Sequence, residues 1–577
     1  MGHQGRSAAA FRSTTKSGHV VAKPSKKSKT AAQAAAHHAQ ATELARRGEP
    51  MAALQHRFAA FRAAPNERSY RQALAAALIP LRLEQAAPTV EEALVRLLQA
   101  DDVDPQALAG VLISLIKADP RFKALAAADW DDAGQSEALQ SQVTDLFGWP
   151  LLQHALAHSI LCDREVERVL TACRRFLLLY AGAVAEDVER FAPLVLQAAL
   201  TEFLWEENQA ESEALAELSA RAGATLLACA YRRPEEGALK ALFPDRAGLG
   251  PFGRLLYRRL VAEPAEERRL AEAMPVLELS DDSVSQSVQA QYESNPYPRW
   301  TGVQRRASRP LAAVVRSFRP ELPESALPQT AKPQILVAGC GTGAHAVKVA
   351  SRYAGSRVTA VDLSRRALAY AEMKATALKL GNIRFLQADI LALDGWERRF
   401  DLIECSGVLH HLAEPLRGWR ILTDLLAERG VMRIGLYSAL GRRHILAMQD
   451  LARREGATPE LESIRRLRLR IENEAAAGDE SAAAVLREAD FYSASGLRDL
   501  LLHVQEQQFS VEKLQAALAN LDLEFLAFEH PFADVPQAFE TRFGGSASKR
   551  DLSAWGILEQ ERPDSFRGMY QFWCRKG

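Results

Sequence analysis

The stretch ILVAGCGTGAHAVKVA, residues 335 to 350, places three glycines within five positions, between an apolar run and a helix-forming segment. Gly339, Gly341 and Gly343 carry no Cβ, so the chain there can turn sharply and bring its main chain against a ligand. The helix that follows offers free N–H groups and a partial positive charge at its N-terminus. The pattern predicts strand, tight loop and helix, with a flat, polar or anionic ligand on the loop. Further short apolar runs follow at RVTAVD (357–362), IRFLQAD (383–389), FDLIEC (400–405) and VMRIGLY (431–437), separated by helical stretches. Strands that alternate with helices imply crossover units and a parallel sheet covered on both faces. Two more strand candidates, LDLEFLAFE (521–529) and GMYQFWCRK (568–576), close the chain.

A chain of 577 residues is too long for one ordinary domain. Before Glu43, the first acidic residue, stand Arg6, Arg12, Lys16, Lys23, Lys26, Lys27 and Lys29 among small and polar residues, a composition that cannot bury a core. Residues 1–38 therefore read as a disordered basic tail, and 39–280 as an all-α domain. Its start, residues 41–78, places Gly48, Ala53, Ala60 and Pro65 much as a tetratricopeptide hairpin does. In DREVERVLTACRRFLLLYA, Asp163 is the expected N-cap, with an apolar stripe at Val166, Val169, Leu170, Cys173, Phe176, Leu177 and Tyr180. Residues 281–334 read as a strap and proline-rich linker, 335–440 as the ligand-binding core, 441–509 as a helical insertion, and 510–577 as the last helix and strands.

The 72 basic residues balance the 72 acidic ones, so no overall field recommends nucleic acid as a partner. The six cysteines lie far apart, which fits neither a disulfide framework nor a metal site and favours a reducing, cytoplasmic setting. No apolar run reaches the length of a membrane span.

Two ligands suit the glycine loop. Gly339-x-Gly341-x-x-Ala344 with Asp362 nineteen residues past Gly343 satisfies a loose dinucleotide fingerprint. The longer run ILVAGCGTGAHAVKVA…VTAVDLS…IRFLQADI…FDLIECSGVLHHL resembles class I S-adenosylmethionine-dependent methyltransferases, element by element. That resemblance implies a Rossmann-like α/β sheet of seven strands with the last antiparallel, and S-adenosyl-L-methionine as cofactor. It implies that Gly339, Cys340, Gly341 and Gly343 pass under the methionine and ribose, with Ser406 nearby. Asp362, next to Leu363, takes the ribose hydroxyls; Asp389 takes the adenine amino group beside Ile390. From the residues alone, Asp362 also suits the cap of the next helix and Asp389 a turn. One position departs from the family: Val337 stands where Asp or Glu usually precedes the first glycine by two residues.

CSGVLHHLAEP (405–415) matches the stretch after strand four in small-molecule methyltransferases, making His410 and His411 candidate catalytic residues. QYESNPYPRW (291–300), GLYSALGRR and RDLLLHVQEQQFS (498–510) resemble a bacterial group of methyltransferases with helical or tetratricopeptide-like N-terminal domains. A Tyr…Pro-Tyr-Pro stretch before the sheet is also similar to bacterial protein lysine methyltransferases. These likenesses imply that Tyr292, Asn295, Tyr297 and Arg299 close over the methyl-donor site, opposite Tyr437, His503 and Glu506, with Tyr297 a third catalytic candidate. The expected activity is methyl transfer to N or O of a protein or small-molecule acceptor, with a protein partner engaged through the helical domain. The alternatives are a cofactor-binding scaffold and a nucleotide-dependent oxidoreductase.

Overall fold

The apolar runs assemble into one mixed sheet. The computed structural model describes residues 26–577 except 131–136, 182–186, 222–225, 234, 236, 238–241, 244–245, 306 and 531–533. Its strands are β1 (Val276–Glu278), β2 (Gln334–Ala338), β3 (Arg357–Asp362), β4 (Ile383–Ala388), β5 (Phe400–Ser406), β6 (Leu426–Tyr437), β7 (Leu523–Phe528) and β8 (Met569–Lys576). The order across the sheet is β1-β4-β3-β2-β5-β6-β8-β7, parallel except for β8, which runs antiparallel to both β6 and β7. Alternate side chains of each strand feed opposite faces. Leu336, Ala338, Val361, Leu386 and Ile434 pack on one side with Trp419 and Phe572; Ile335, Val337, Val358, Ala360 and Val431 pack on the other with Val347 and Leu368.

The sheet has eight strands where seven were expected. The extra one, β1, lies in a segment read as all-helical and pairs in parallel with β4, Val276 opposite Gln387. Three residues at a sheet edge carry almost no local signal, and their partner lies more than a hundred positions away. The expected strap and linker is likewise more structured than its prolines suggest: Ser283–Ser294 and Leu311–Phe318 are helices, and only the stretch around Pro296 and Pro298 stays irregular.

The chain forms two compact units, Met1–Ala77 and Leu78–Gly577. In the first unit a helix begins at Lys26, inside the span expected to be tail, and runs to Arg46. Residues 1–25 of that expected tail lie outside the described residues. Gly48, with φ of 78°, turns this helix back into Pro50–Ala63, and Ala41, Ala53 and Ala60 are buried as the hairpin pattern requires.

Within the second unit Asp163 caps Arg164–Tyr180 as expected, accepting from the N–H groups of Glu165 and Val166 at 3.0 Å. The expected stripe is buried from Val166 to Leu177, while Tyr180 is exposed. This helix meets the insertion, whose helices are Arg443–Arg454, Leu461–Ala476, Glu480–Val485 and Ala494–Leu501. Glu167 binds Arg468 through both oxygens at 2.5 and 2.6 Å, and both side chains are buried. Leu204 of the helical layer joins Ile464, Leu467, Phe491 and Leu497 in one apolar cluster, so the layer and the insertion share a core. No described helix is long and apolar enough to cross a membrane.

Candidate active site

A cavity of about 700 Å³ opens where the parallel strands end, between the glycine loop, the strap and the insertion. Open α/β sheets bind ligands at this edge because crossover loops diverge there. Gly339, Cys340 and Gly341 after β2, Asp362 and Leu363 at the end of β3, Asp389 and Ile390 after β4, and Ser406 and Tyr437 at the ends of β5 and β6 all line it. Gly343 does not. Its φ of 85° starts the helix Ala344–Arg352, and a Cβ there would stand 2.4 Å from the Cβ of Ala371, so the glycine serves helix packing.

Asp362 accepts from the N–H of Gly341 at 2.7 Å and of Ser364 at 3.0 Å, one bond to each carboxylate oxygen. It therefore braces the glycine loop and leaves a second lone pair on each oxygen for a ligand. Burial raises its pKa in spite of those N–H contacts. The cap of helix Arg365–Ala377 is Ser364, not Asp362. Asp389 is a turn residue, accepting from Leu391 N at 2.9 Å, and it faces the cavity as well; Ser280, just past β1, donates to its other oxygen. Flat apolar contact from Leu363 and Ile390 beside two carboxylates and a glycine loop suits a nucleoside with ribose hydroxyls and an exocyclic amine.

The strap is fastened to the glycine loop. Thr342 donates its hydroxyl to Pro298 O, the Trp300 indole donates to Thr342 O at 2.9 Å, and a Cβ on Gly341 would stand 3.0 Å from Tyr297 O. Tyr292 and Tyr297 line the cavity and donate at 2.6 Å to Asp499 and Asp490 of the insertion. Burial first, then those carboxylates, lift both tyrosine pKa values well above the ordinary. Two strap residues behave otherwise. Asn295 caps the end of helix Ser283–Ser294 and does not line the cavity. Arg299 turns away to Glu267, which it grips at 3.0 Å through two nitrogens, anchoring the strap to the helical layer.

The histidines depart from their expected roles. His410 is fully buried outside the cavity lining; its Nδ1 accepts from Tyr437 N at 3.3 Å and its ring stacks on Tyr437 at 3.7 Å. His411 lines the cavity, and its Nδ1 lies 2.7 Å from Gln505 O, which requires that nitrogen to carry the proton. Burial pulls both pKa values well below the usual histidine range, with neighbouring histidines and Arg442 adding to the effect. Neutral imidazoles held this far down are poor proton acceptors near pH 7. His503 and Glu506 stand behind the wall: His503 stacks on His411 at 3.7 Å, and Glu506 is ion-paired with Arg442 at 2.9 Å.

Sequence reasoning missed Ser280, Thr342, Asp490, Asp499 and Arg442. Asp499 sits within the RDLLLHVQEQQFS stretch but gave no signal apart from an acid on a mainly apolar helix. The acid expected at Val337 has a counterpart one strand away. Val337 is buried in the core, its register partner is Glu404, and Glu404 meets Tyr353 at 2.9 Å and the cavity-lining His345 at 2.8 Å. Burial opposes ionisation there, but His345, Arg433 and Tyr353 together hold Glu404 down at about 2.

Residues 335–430 match the family described as "Methyltransferase domain". A protein of Synechococcus sp. is 30% identical over 294 residues, covering 48% of this chain and 67% of its own. Malonyl-[acyl-carrier protein] O-methyltransferase of Paenibacillus sp. is 31% identical over 144 residues, 22% of this chain and 52% of its own length. Among solved structures, PKMT2 from Rickettsia typhi in complex with AdoHcy is 16% identical with a TM-score of 0.34, over 43% of this chain and 50% of that one.

Proposed function

Since the chain belongs to one family with the Synechococcus protein and carries a class I S-adenosylmethionine-dependent methyltransferase domain, we propose that it transfers a methyl group to nitrogen or oxygen of an acceptor held under the strap. The cofactor is S-adenosylmethionine, which brings a methyl group already activated by its sulfonium. What remains for the protein is to align the acceptor and exclude water. Asp362 holds the ribose hydroxyls with its two free lone pairs, Asp389 takes the adenine amino group beside Ile390, and the loop Gly339–Gly341 lies under the methionine. Tyr292 and Tyr297 form the wall facing the methyl group, and His411 is a neutral polar group of that wall. The observation that carries this reading is the fastening of the strap to Thr342, which makes one cavity of the glycine loop and the strap tyrosines.

Asp362→Ala removes charged hydrogen bonds worth about 1.5–3 kcal/mol each. Calorimetry should show S-adenosylhomocysteine binding weaker by at least about tenfold, along with reduced stability as two backbone N–H groups lose their acceptor. Unchanged affinity in the folded variant would refute the ribose assignment.

Tyr297→Phe keeps the ring and deletes only the hydroxyl on Asp490. With a strap that closes over the reacting atoms, labelled methyl transfer into a lysate should slow by about tenfold or more while S-adenosylhomocysteine affinity holds. Normal turnover in Tyr297→Phe, with early melting of Tyr297→Ala, would reduce the strap to packing. Separating the labelled lysate into macromolecular and small-molecule fractions distinguishes a protein acceptor from a metabolite.

A further inference from the structure

Among the described residues, two carboxylates on the insertion side of the cavity make no ion pair. Asp499 is buried and Asp490 half-buried; both line the cavity, and each accepts a hydrogen bond from one strap tyrosine. Arg442 acts on both, and both oxygens of Glu506 already hold it, at 2.9 and 3.2 Å. Arg567, the other arginine on this wall, is paired with Glu488 at 2.8 Å. Burial, then mutual repulsion with Asp490 and the charge of Glu506, push Asp499 up to about 7 although Tyr292 and Arg442 act against the shift. Removing carboxylates from water without a cation is costly, so a wall of this kind is complementary to a positive ligand. The rings of Tyr292, Tyr297 and Tyr437 add aromatic surface to the same lobe.

We propose that the methyl acceptor is an amine that enters as its ammonium between Asp490 and Asp499, and that Asp499 takes its proton. This rests on the methyl-transfer reading above and narrows it. The ammonium N–H bond breaks, the proton passes to an Asp499 oxygen, and the freed lone pair attacks the methyl carbon. As the N–C bond forms, the sulfonium C–S bond breaks and its electron pair stays on sulfur, leaving a neutral thioether. The positive charge moves from sulfur to the methylated nitrogen, and Asp499 returns its proton to water. A carboxylate acceptor would bring a third negative charge to this wall, and an alcohol would leave both aspartates without a cation.

The test uses the full chain saturated with S-adenosylhomocysteine and titrated by calorimetry with n-butylamine, Nα-acetyl-lysine N-methylamide, n-butanol and n-butyrate. The amines are expected to bind at least about tenfold tighter than butanol, with butyrate weakest, and to lose about tenfold in Asp490→Asn and Asp499→Asn while S-adenosylhomocysteine affinity stays unchanged. A lysine amide that binds about tenfold tighter than butylamine assigns the acceptor to peptide lysines; otherwise it is a small free amine. Amines that bind no tighter than butanol or butyrate overturn the inference and leave the methyl-transfer reading standing. Loss of S-adenosylhomocysteine affinity in the two variants also overturns it, by assigning these carboxylates to the cofactor's own amino group. A wild-type chain that fails to bind S-adenosylhomocysteine overturns both readings.

Discussion

Glu167→Ala should destabilise the Leu78–Gly577 unit by about 3–5 kcal/mol, the usual consequence of leaving one member of a buried ion pair without its partner. For a carboxylate partner Arg468 would keep Glu472 at 4.0 Å in place of two short bonds. The effect should reach the cavity as well. Arg468 donates to Phe491 O at 3.2 Å and its guanidinium lies over the Phe491 ring, next in the chain to Asp490. Methyl transfer is therefore expected to fall at temperatures where the variant is still folded, while S-adenosylhomocysteine binding, assigned above to the glycine loop, Asp362 and Asp389, holds. Glu167→Met with Arg468→Met should regain most of the lost stability, since a buried pair can be replaced by apolar side chains of similar volume at little cost. Denaturation midpoints check this directly. A loss below about 1 kcal/mol in Glu167→Ala would mean that the pair is no better than an exposed one.

Gly343→Ala is expected to damage both the fold and the glycine loop. A φ of 85° costs an L-residue about 1–2 kcal/mol. The new Cβ would also stand 2.4 Å from Ala371 Cβ and 3.0 Å from Ala371 Cα, so helix Arg365–Ala377 or the loop must move, for about 1–3 kcal/mol more. A shift of the loop would carry Gly341 away from the Asp362 carboxylate. Lower melting temperature together with weaker S-adenosylhomocysteine binding is the expected pair of results. A variant that melts earlier but binds normally would show that helix packing alone absorbs the methyl group.

What the sequence determined by itself is local. The positive φ values at Gly339, Gly341 and Gly343, the cap at Asp163 and the apolar periods of β2 to β8 depend on residues within one or two turns of each other, and their side-chain chemistry permits few alternatives. The positions of Asp362 and Asp389 at strand ends followed from the same short-range patterns. Tertiary structure decided what those patterns leave open. The edge strand β1 exists because β4 offers it a free edge. His410 and His411 read as a catalytic pair until Tyr437, His503 and Arg442 bury and silence their basicity. Glu506, expected opposite the strap tyrosines, stands behind the cavity wall and pairs with Arg442. Asp490 and Asp499 became the carboxylates of the wall through tyrosines 193 and 207 residues away. Contacts over such distances are selected by how the sheet, strap and insertion pack, because burial and the nearest charge set the chemistry of an ionisable group, and neither is written in the few residues beside it.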